Sequence, residues 1–371
     1  MSAAKKVKTV LAHHWLMSMR GGEKTLAAIA EIFPGAPIHS LAGRPEKLSD
    51  DLRRHPLHFS FLQGLPGSPR YFRAYLPFFP SAVRSIRVPD CDLLLTSDAN
   101  VIKGIRKPER AVHVCYCHSP ARYLWGMEEV YLQAMPRVLR PLIRRQFARL
   151  RDFDLESVAG VDEFVCNSRS VADRIRKHYG REPGAIIPPP ADTHLCKPHP
   201  RREDYFLVVS ELTPYKRIDL AVQACTRLKK PLVVIGTGSE IARLKAMAGA
   251  QIVFLGWQSD ETVRAYMSKA RAFLFPGEED FGIAPVEAMA AGAPVIAYGA
   301  GGVLDTVVDG QTGVYFSEQS IDSLCEAMES LEKSHEKFDP ATLAAHAAQF
   351  AREEFQKKLR AFLGNKLKLT A

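Results

Sequence analysis

The feature that most constrains this fold is a regular alternation of short apolar runs with amphipathic helical segments. Short apolar runs are typical of strands buried on both faces of a parallel sheet, and apolar residues at helical spacing indicate helices packed on such a sheet. In the first half, the predicted strands are residues 7–13, 92–96, 112–116 and 163–166, and the predicted helices are 23–33 and 169–179. In the second half, the predicted strands are 206–210, 231–235, 252–255, 272–275 and 295–298, and the predicted helices are 218–228, 240–247, 260–269 and 285–291. A last helix is predicted at about 341–363.

A proline-rich stretch divides this alternation into two halves. Prolines 188–190, 198 and 200 lie among polar residues, a composition that makes stiff, extended connections. A chain of 371 residues is also long enough for about two domains. We therefore predict two doubly wound, Rossmann-like α/β domains that face a cleft, at residues 1–187 and 201–349. Residues 188–200 are the predicted linker, and a C-terminal helix over about 350–371 is predicted to pack back on the first domain.

The charge balance favours an anionic partner. The chain has 50 Lys and Arg against 41 Asp and Glu, a formal charge of +9, which suits nucleic acid, a phosphorylated ligand or an anionic membrane. Seven scattered cysteines without a C-x-x-C pair indicate reduced thiols of a cytoplasmic protein. The N-terminus lacks the apolar stretch of a signal peptide, and prolines and glycines interrupt the most apolar segment, 283–304. We expect no membrane span.

Residues 276–294, PGEEDFGIAPVEAMAAGAP, carry the clearest candidate site. Pro285 suits the first position of a helix and Gly292 the residue past its end. The backbone amides of Phe281, Gly282 and Ile283, just before the helix, would form a natural diphosphate site.

Two carboxylates flank that site. Glu279 lies in the loop and Glu287 in the predicted first turn. Carboxylates would repel a diphosphate, but each can accept hydrogen bonds from two vicinal hydroxyls of a ribose or hexose. Alternatively, Glu287 is a favourable charge on the helix dipole and Glu279 belongs to a solvated acidic run.

Other candidates lie where strands give way to helices. Lys216 and Arg217 open a helix, where cations are unfavourable unless they neutralise an anion such as a diphosphate; otherwise they are surface cations. Gly21 and Gly22 would let the backbone approach phosphates closely, or simply make a tight turn. His118 ends an apolar strand, where a lone histidine is more often structural than catalytic.

These segments together resemble the retaining glycosyltransferases of family 4, which have the GT-B fold. The segment 276–294 is similar to the family's E-x7-E motif, Gly21-Gly22-Glu23 to its glycine loop, and CHSPARYLW at 117–125 to its histidine segment. Further similar segments are Asn167-Ser168, PPAD at 189–192, PYKR at 214–217, Gly236-Thr237-Gly238 and Gly256-Trp257. CHSPARYLW together with PYKRID most resembles mannosyltransferases of O-antigen and exopolysaccharide assembly that use GDP-mannose.

The resemblance implies a metal-independent transfer of a hexose, above all mannose from GDP-mannose, to a glycan or polyprenyl-diphosphate-linked glycan. It implies that His118 contacts the donor sugar opposite Glu279, and that Lys216 and Arg217 bind the diphosphate. The backbone of five residues would bind the donor, namely that of Gly21, Gly22, Phe281, Gly282 and Ile283. The carboxylate of Glu287 would bind the ribose of the donor. The family commonly has Arg five residues before the lysine, where this chain has Glu211. That departure leaves open a second function, a non-catalytic sugar-nucleotide-binding or membrane-scaffold subunit.

Two basic segments of the first domain indicate where much of the positive charge lies. Residues 137–151 hold six arginines among apolar residues, and residues 71–88 mix arginine with aromatic residues. Such segments are typical of proteins lying on an anionic bilayer, or of an amphipathic core helix with a solvated basic face. Because the family's N-terminal domain takes the acceptor, we expect peripheral contact with the inner face of the cell membrane. No zinc-finger or aromatic-interleaved pattern supports nucleic acid as a partner.

Overall fold

The computed structural model describes residues 7–133 and 135–367 and divides into two compact units. The first unit is Met1–Pro188 with Phe355–Ala371, and the second is Pro189–Glu354. Residues 1–6 and 368–371, which belong to the predicted first domain and its C-terminal helix, lie outside the described residues.

The first unit is built on a parallel sheet of seven strands in the order β3-β2-β1-β4-β5-β6-β7. The strands are β1 (Thr9–His13), β2 (Ile38–Ser40), β3 (Leu57–Phe59), β4 (Leu93–Asp98), β5 (Val112–Cys117), β6 (Glu163–Cys166) and β7 (Ala185–Ile186). The helices are α1 (Gly21–Ile32), α2 (Asp50–Arg53), α3 (Phe79–Ser85), α4 (Glu128–Gln133), α5 (Arg140–Val158) and α6 (Arg169–Tyr179). In register, Leu11 of β1 pairs with Leu95 of β4.

Both faces of this sheet are covered. Along β1, Leu11 packs in one core with Leu26 and Ile29 of α1, whereas its neighbour Val10 packs in another with Phe79 of α3. Successive side chains of a strand point to opposite faces, so a strand covered on both faces must be apolar throughout. This explains the continuous apolar runs of the sequence.

The second unit contains six parallel strands in the order β10-β9-β8-β11-β12-β13. The strands are β8 (Phe206–Val209), β9 (Leu232–Ile235), β10 (Ile252–Gly256), β11 (Ala272–Phe275), β12 (Val295–Tyr298) and β13 (Gly313–Phe316). The helices are α7 (Ile218–Leu228), α8 (Ile241–Met247), α9 (Asp260–Lys269), α10 (Ile283–Ala290), α11 (Ile321–Lys333) and α12 (Pro340–Ala347). The prediction of two doubly wound parallel sheets is confirmed.

Two helix boundaries differ from the prediction. α10 begins at Ile283, so Pro285 is its third residue and Glu287 lies in its second turn, not its first. Proline is tolerated there because the amides of the first turn have no partner within the helix. The helix predicted over 341–363 is two helices, α12 and α13 (Arg352–Leu367). A short 3-10 helix, Ala348–Phe350, follows α12, and the extended Ala351 after it pairs with Ala191. α13 then returns to the first unit.

All seven cysteines are buried, and the described residues contain no disulfide. Across the same residues, no helix combines the length and the apolar character needed to cross a membrane.

Candidate functional site

Each sheet has one point at which the strand order reverses. In the first unit this point lies between β1 and β4, and in the second between β8 and β11. Helices leave such neighbouring strands toward opposite faces, which opens a crevice at the carboxyl ends where ligands of doubly wound folds bind. The residues that follow these four strands therefore form the candidate site, unit by unit.

In the second unit, Lys216 and Glu279 form an ion pair between Nζ and Oε1. Lys216 follows β8 and Glu279 follows β11, and both side chains are partly buried. A small cavity of about 10 Å³ lies between their two loops, lined also by Ser210 and Gly277. The structure thus brings the two predicted site residues into direct contact.

Glycines let the loops of this site approach closely. A Cβ on Gly277 would lie 2.8 Å from both Cα and the carbonyl oxygen of Lys216, which is too close for any other residue. Gly302 donates its N–H to the carbonyl of Glu279 over 2.8 Å, and a Cβ on Gly301 would lie 2.4 Å from that oxygen. The backbone of Glu279 is therefore held by the loop that follows β12.

The guanidinium of Arg217 contacts Asp219 and Gln319, not Glu279 as Lys216 does. Arg217 is the N-cap of α7 with φ of 52°, a left-handed conformation that is uncommon for a residue with a side chain. Its guanidinium Nε lies 3.2 Å from Oδ1 of Asp219, and Nη1 lies 3.4 Å from Oε1 of Gln319. To bind a diphosphate, the guanidinium would have to turn away from these two residues.

The N-terminus of α10 has the expected glycine, but a buried Phe281 precedes it and Pro285 is the third residue of the helix. Gly282 is the N-cap, with φ of 89°, a conformation that favours glycine. Phe281 as a whole is only 4% exposed, and its ring packs edge-on against Phe350. Because Pro285 has no N–H, the amides that this turn can present belong to Ile283 and its successor.

In the first unit, His118 belongs to a cluster of polar side chains at the strand ends. Its Nε2 lies 2.8 Å from the hydroxyl of Ser97, which lies 3.0 Å from Nδ1 of His13. The His118 backbone is held at both ends, by its own N–H to the carbonyl of Asp98 and by Asn167 Nδ2 to its carbonyl. Residues at the ends of β4 and β6 therefore hold His118 in place.

His13, the last residue of β1, and His14 directly after it are both buried. Burial lowers the pKa of His13 well below its usual range, and the neighbouring His14 and His118 lower it further. Burial also lowers the pKa of His14, to about 4. Gly22, the second residue of α1, lies beside them, since a Cβ there would be 3.4 Å from the His13 ring.

Beneath this cluster lies a buried ionic network that the sequence analysis missed. Lys103 Nζ contacts Asp154 and lies 3.3 Å from Oδ2 of Asp98; these three side chains are at most 2% exposed. Asp154 also accepts hydrogen bonds from Trp125 Nε1 at 2.7 Å and from the Tyr179 hydroxyl at 2.9 Å. Burial acts to lower the pKa of Lys103, but the carboxylates outweigh it and the pKa is raised well above its usual value.

Polar residues at the ends of predicted strands are the signal that could have revealed this cluster. Ser97 and Asp98 directly follow the predicted strand 92–96, and His13 is the last residue of the predicted strand 7–13. Among the residues that the structure describes, no group of three or more His, Cys, Asp or Glu side chains could hold a metal ion.

Two family models match adjoining parts of the chain. The model described as Glycosyltransferase Family 4 matches residues 35–195, and the model described as Glycosyl transferases group 1 matches residues 196–352. The two matches run without a gap through twelve of the thirteen strands, from β2 to β13.

Curated relatives match part of the chain. A D-inositol 3-phosphate glycosyltransferase of Rhodococcus jostii is 30% identical over 226 residues, 53% of this chain and 49% of that protein. A GDP-mannose-dependent alpha-(1-6)-phosphatidylinositol monomannoside mannosyltransferase of Mycolicibacterium smegmatis is 30% identical over 206 residues, 47% of this chain and 53% of that protein. The chain spans about half the length of the curated relatives it matches.

Solved structures match nearly the whole chain. Anabaena Alr3699/HepE in complex with UDP-glucose superposes with a TM-score of 0.72 at 18% identity, over 96% of this chain and 99% of that one. Sucrose-phosphate synthase from Thermosynechococcus elongatus has a TM-score of 0.76 at 18% identity, over 98% of this chain and 100% of that one. These likenesses show a shared fold.

Proposed function

We propose that this chain, whose two halves are a family 4 and a group 1 glycosyltransferase domain with the GT-B fold, transfers a hexose from a nucleoside-diphosphate sugar to a glycan acceptor. The observation that carries the proposal is the contact between Lys216 and Glu279 at the strand-order reversal of the second unit. A sugar diphosphate presents an anion beside a set of hydroxyl donors, and this pair presents a cation beside an acceptor.

The roles follow from the charges. Lys216 stabilises the negative charge that develops on the departing diphosphate, and Arg217 adds a second cation once it leaves Asp219. Glu279, released from Lys216 by the phosphate, accepts hydrogen bonds from sugar hydroxyls. These two cations supply the charge that a metal ion supplies elsewhere, so we propose transfer without a metal.

Backbone groups and two further side chains complete the donor site. The amides near Gly282 and Ile283, and those of Gly21 and Gly22 at the start of α1, bind phosphate oxygens. Glu287 accepts from the ribose hydroxyls, which suits its partly buried position. His118 contacts the sugar.

For the donor, we propose GDP-mannose, with the α configuration retained. Support comes from the relative named as a GDP-mannose-dependent mannosyltransferase and from the CHSPARYLW segment at 117–125. UDP-glucose, which is bound in one of the structurally similar proteins, is the competing donor.

For the acceptor, we propose a polyprenyl-diphosphate-linked glycan, as in O-antigen assembly, reached at the inner face of the cell membrane. α5 and the turn before it expose Val138 (86%) and Leu142 (58%) among arginines, whereas its core face is Phe147 and Leu150. This arrangement supports a bilayer partner better than an ordinary amphipathic core helix, whose apolar residues would all be covered.

The test compares Lys216→Ala and Glu279→Ala with Glu278→Ala, a matched change at an exposed neighbour. With GDP-mannose, UDP-glucose and a lipid-linked acceptor, we expect the first two variants to lose at least 100-fold in turnover, as happens when a group that stabilises the transition state is removed. Circular dichroism should show them folded, and Glu278→Ala should remain active. Proton NMR of the product should show the α anomer.

Two outcomes would overturn the proposal. Wild-type turnover in both Lys216→Ala and Glu279→Ala would exclude the proposed site. Calorimetric binding of sugar nucleotides without transfer or slow donor hydrolysis, across a panel of acceptors, would favour the non-catalytic subunit that Glu211 suggests.

A further inference from the structure

A chain of hydrogen bonds connects His13 to His118 through Ser97. The Ser97 hydroxyl lies 3.0 Å from Nδ1 of His13 and 2.8 Å from Nε2 of His118. β1, β4 and β5 are adjacent parallel strands, so their carboxyl ends bring the three side chains together. His13 and Ser97 are completely buried, and neither residue was predicted to have a role.

A serine hydroxyl has a single proton, so the chain can run in only two directions. If Ser97 donates to His118, then Nδ1 of His13 must donate to Ser97, and neutral His118 carries its proton on Nδ1. If Ser97 donates to His13, then Nε2 of His118 must carry the proton. The direction of the chain thus fixes which nitrogen of His118 is a donor.

The surroundings of His13 select the first direction. In the part of the chain that the structure describes, its buried Nε2 has no hydrogen-bond partner. A buried N–H without a partner is rarer than an acceptor without one. A Cβ on Gly22 would lie 3.6 Å from Nε2, so this nitrogen faces the N-terminus of α1, whose positive potential favours a lone pair over an N–H. The proton of His13 therefore belongs on Nδ1.

We infer that His13 and Ser97 are positioning residues that hold His118 as the neutral tautomer with its proton on Nδ1. The inference rests on the proposed function for what His118 meets, a donor sugar, but not for the tautomer itself. An uncharged donor orients a sugar oxygen without placing a cation near the anomeric carbon, where positive charge develops during glycosyl transfer.

The direct test is long-range proton–nitrogen NMR of protein labelled with 15N-histidine, since protonated and bare ring nitrogens have well-separated shifts. In the wild type we expect His118 with a bare Nε2 and a protonated Nδ1. Ser97→Ala should give a mixture of tautomers at His118. The matched control is Thr96→Val, because the Thr96 hydroxyl contacts a different buried histidine, His113, at 3.0 Å.

Kinetics give a second readout. Ser97→Ala and His13→Leu should lower kcat by about tenfold with little change in KM, which is the usual effect of removing the partner that orients a functional histidine. His13→Asn, whose amide can donate from the position of Nδ1, should recover much of the loss, and Thr96→Val should retain kcat.

The outcomes separate the two proposals. A protonated Nε2 in the wild type, or an unchanged His118 tautomer in Ser97→Ala, would overturn the inference and leave the proposed function standing. Absence of transfer by the wild type as well as by every variant, with the expected tautomers seen by NMR, would overturn the proposed function and leave the positioning of His118 intact.

Discussion

At the scale of single residues, the buried charge of Lys103 contributes to the stability of the first unit. The Lys103 side chain is 1% exposed. Replacing it with the similarly shaped methionine leaves Asp98 and Asp154 buried without their cation. We expect Lys103→Met to lower the free energy of unfolding of the first unit by about 3–5 kcal/mol, because an uncompensated buried charge is costly. Urea unfolding followed by tryptophan fluorescence measures this, in a Trp257→Phe background so that both remaining tryptophans lie in the first unit.

Lys107→Met is the matched control, since Lys107 also pairs with an aspartate, Asp162, but at the surface. Its loss should cost less than about 1 kcal/mol. Equal stability of the two variants would show that the buried network contributes nothing beyond a surface pair. Adding Asp154→Asn to Lys103→Met should recover part of the loss.

Residues far apart in sequence explain why this network was not predicted. Lys103 and Asp154 are separated by 51 positions, and Lys103 lies in a segment, IKGIRK, that has the composition of a surface loop. By contrast, Glu279 and Glu287 were identifiable because their spacing within a single short segment carries the signal. The roles of both remain predictions.

At the scale of elements, the loop that carries Glu279 depends on a glycine of the next loop. A Cβ on Gly302 would lie 2.2 Å from the carbonyl oxygen of Asp280 and 2.3 Å from Cα of Phe281. We expect Gly302→Ala to displace this loop, to destabilise the second unit by about 1–3 kcal/mol, and to lower kcat by on the order of 100-fold. Gly299→Ala, where a Cβ would make only ordinary contacts, should affect neither. Equal kcat in the two variants would contradict this.

Nine of the thirteen strands and most of the helices that alternate with them were predicted from the sequence, whereas the strands β2, β3, β7 and β13 and the helices α3 and α11 were not. Each of the strands next to a reversal, β1, β4, β8 and β11, contains a run of at least three apolar residues and is almost wholly buried. β2, β3 and β7 were missed because two or three residues are too short to show a pattern. α10 began before its predicted start because glycine, which can adopt a positive φ, caps it ahead of the proline.

At the scale of the whole molecule, the excess of positive charge is unevenly distributed. Lys216 and Arg217 account for a small share, at the proposed diphosphate site. Much of the rest lies on residues 137–151, which have six arginines and no acidic residue, and on residues 71–88. The 3-10 helix Phe72–Phe78 contacts α5, and Phe78 and the preceding Tyr71 are exposed. Exposed apolar side chains are unfavourable in water but can enter a bilayer, and the arginines around them are attracted to anionic lipid headgroups.

We therefore expect the protein to sediment with vesicles of phosphatidylglycerol but not with neutral phosphatidylcholine vesicles. Replacing Arg145 and Arg149 together by glutamine should weaken binding by about 2 kcal/mol, roughly thirtyfold, because each cation near such a surface contributes about 1 kcal/mol. Higher salt should reduce wild-type binding, since the attraction is screened. Leu142→Ser should weaken binding at every salt concentration, because it removes apolar contact and no charge.

The matched control separates a specific surface from net charge. Arg201→Gln with Lys245→Gln removes the same charge from two exposed positions of the second unit. If binding depends only on total charge, both pairs of substitutions will weaken it equally, and α5 is not the docking surface. If the variant with the control pair binds vesicles as the wild type does and the variant with the α5 pair binds them less, the docking surface lies on α5. Equal binding to neutral vesicles would instead exclude electrostatic attraction as its basis.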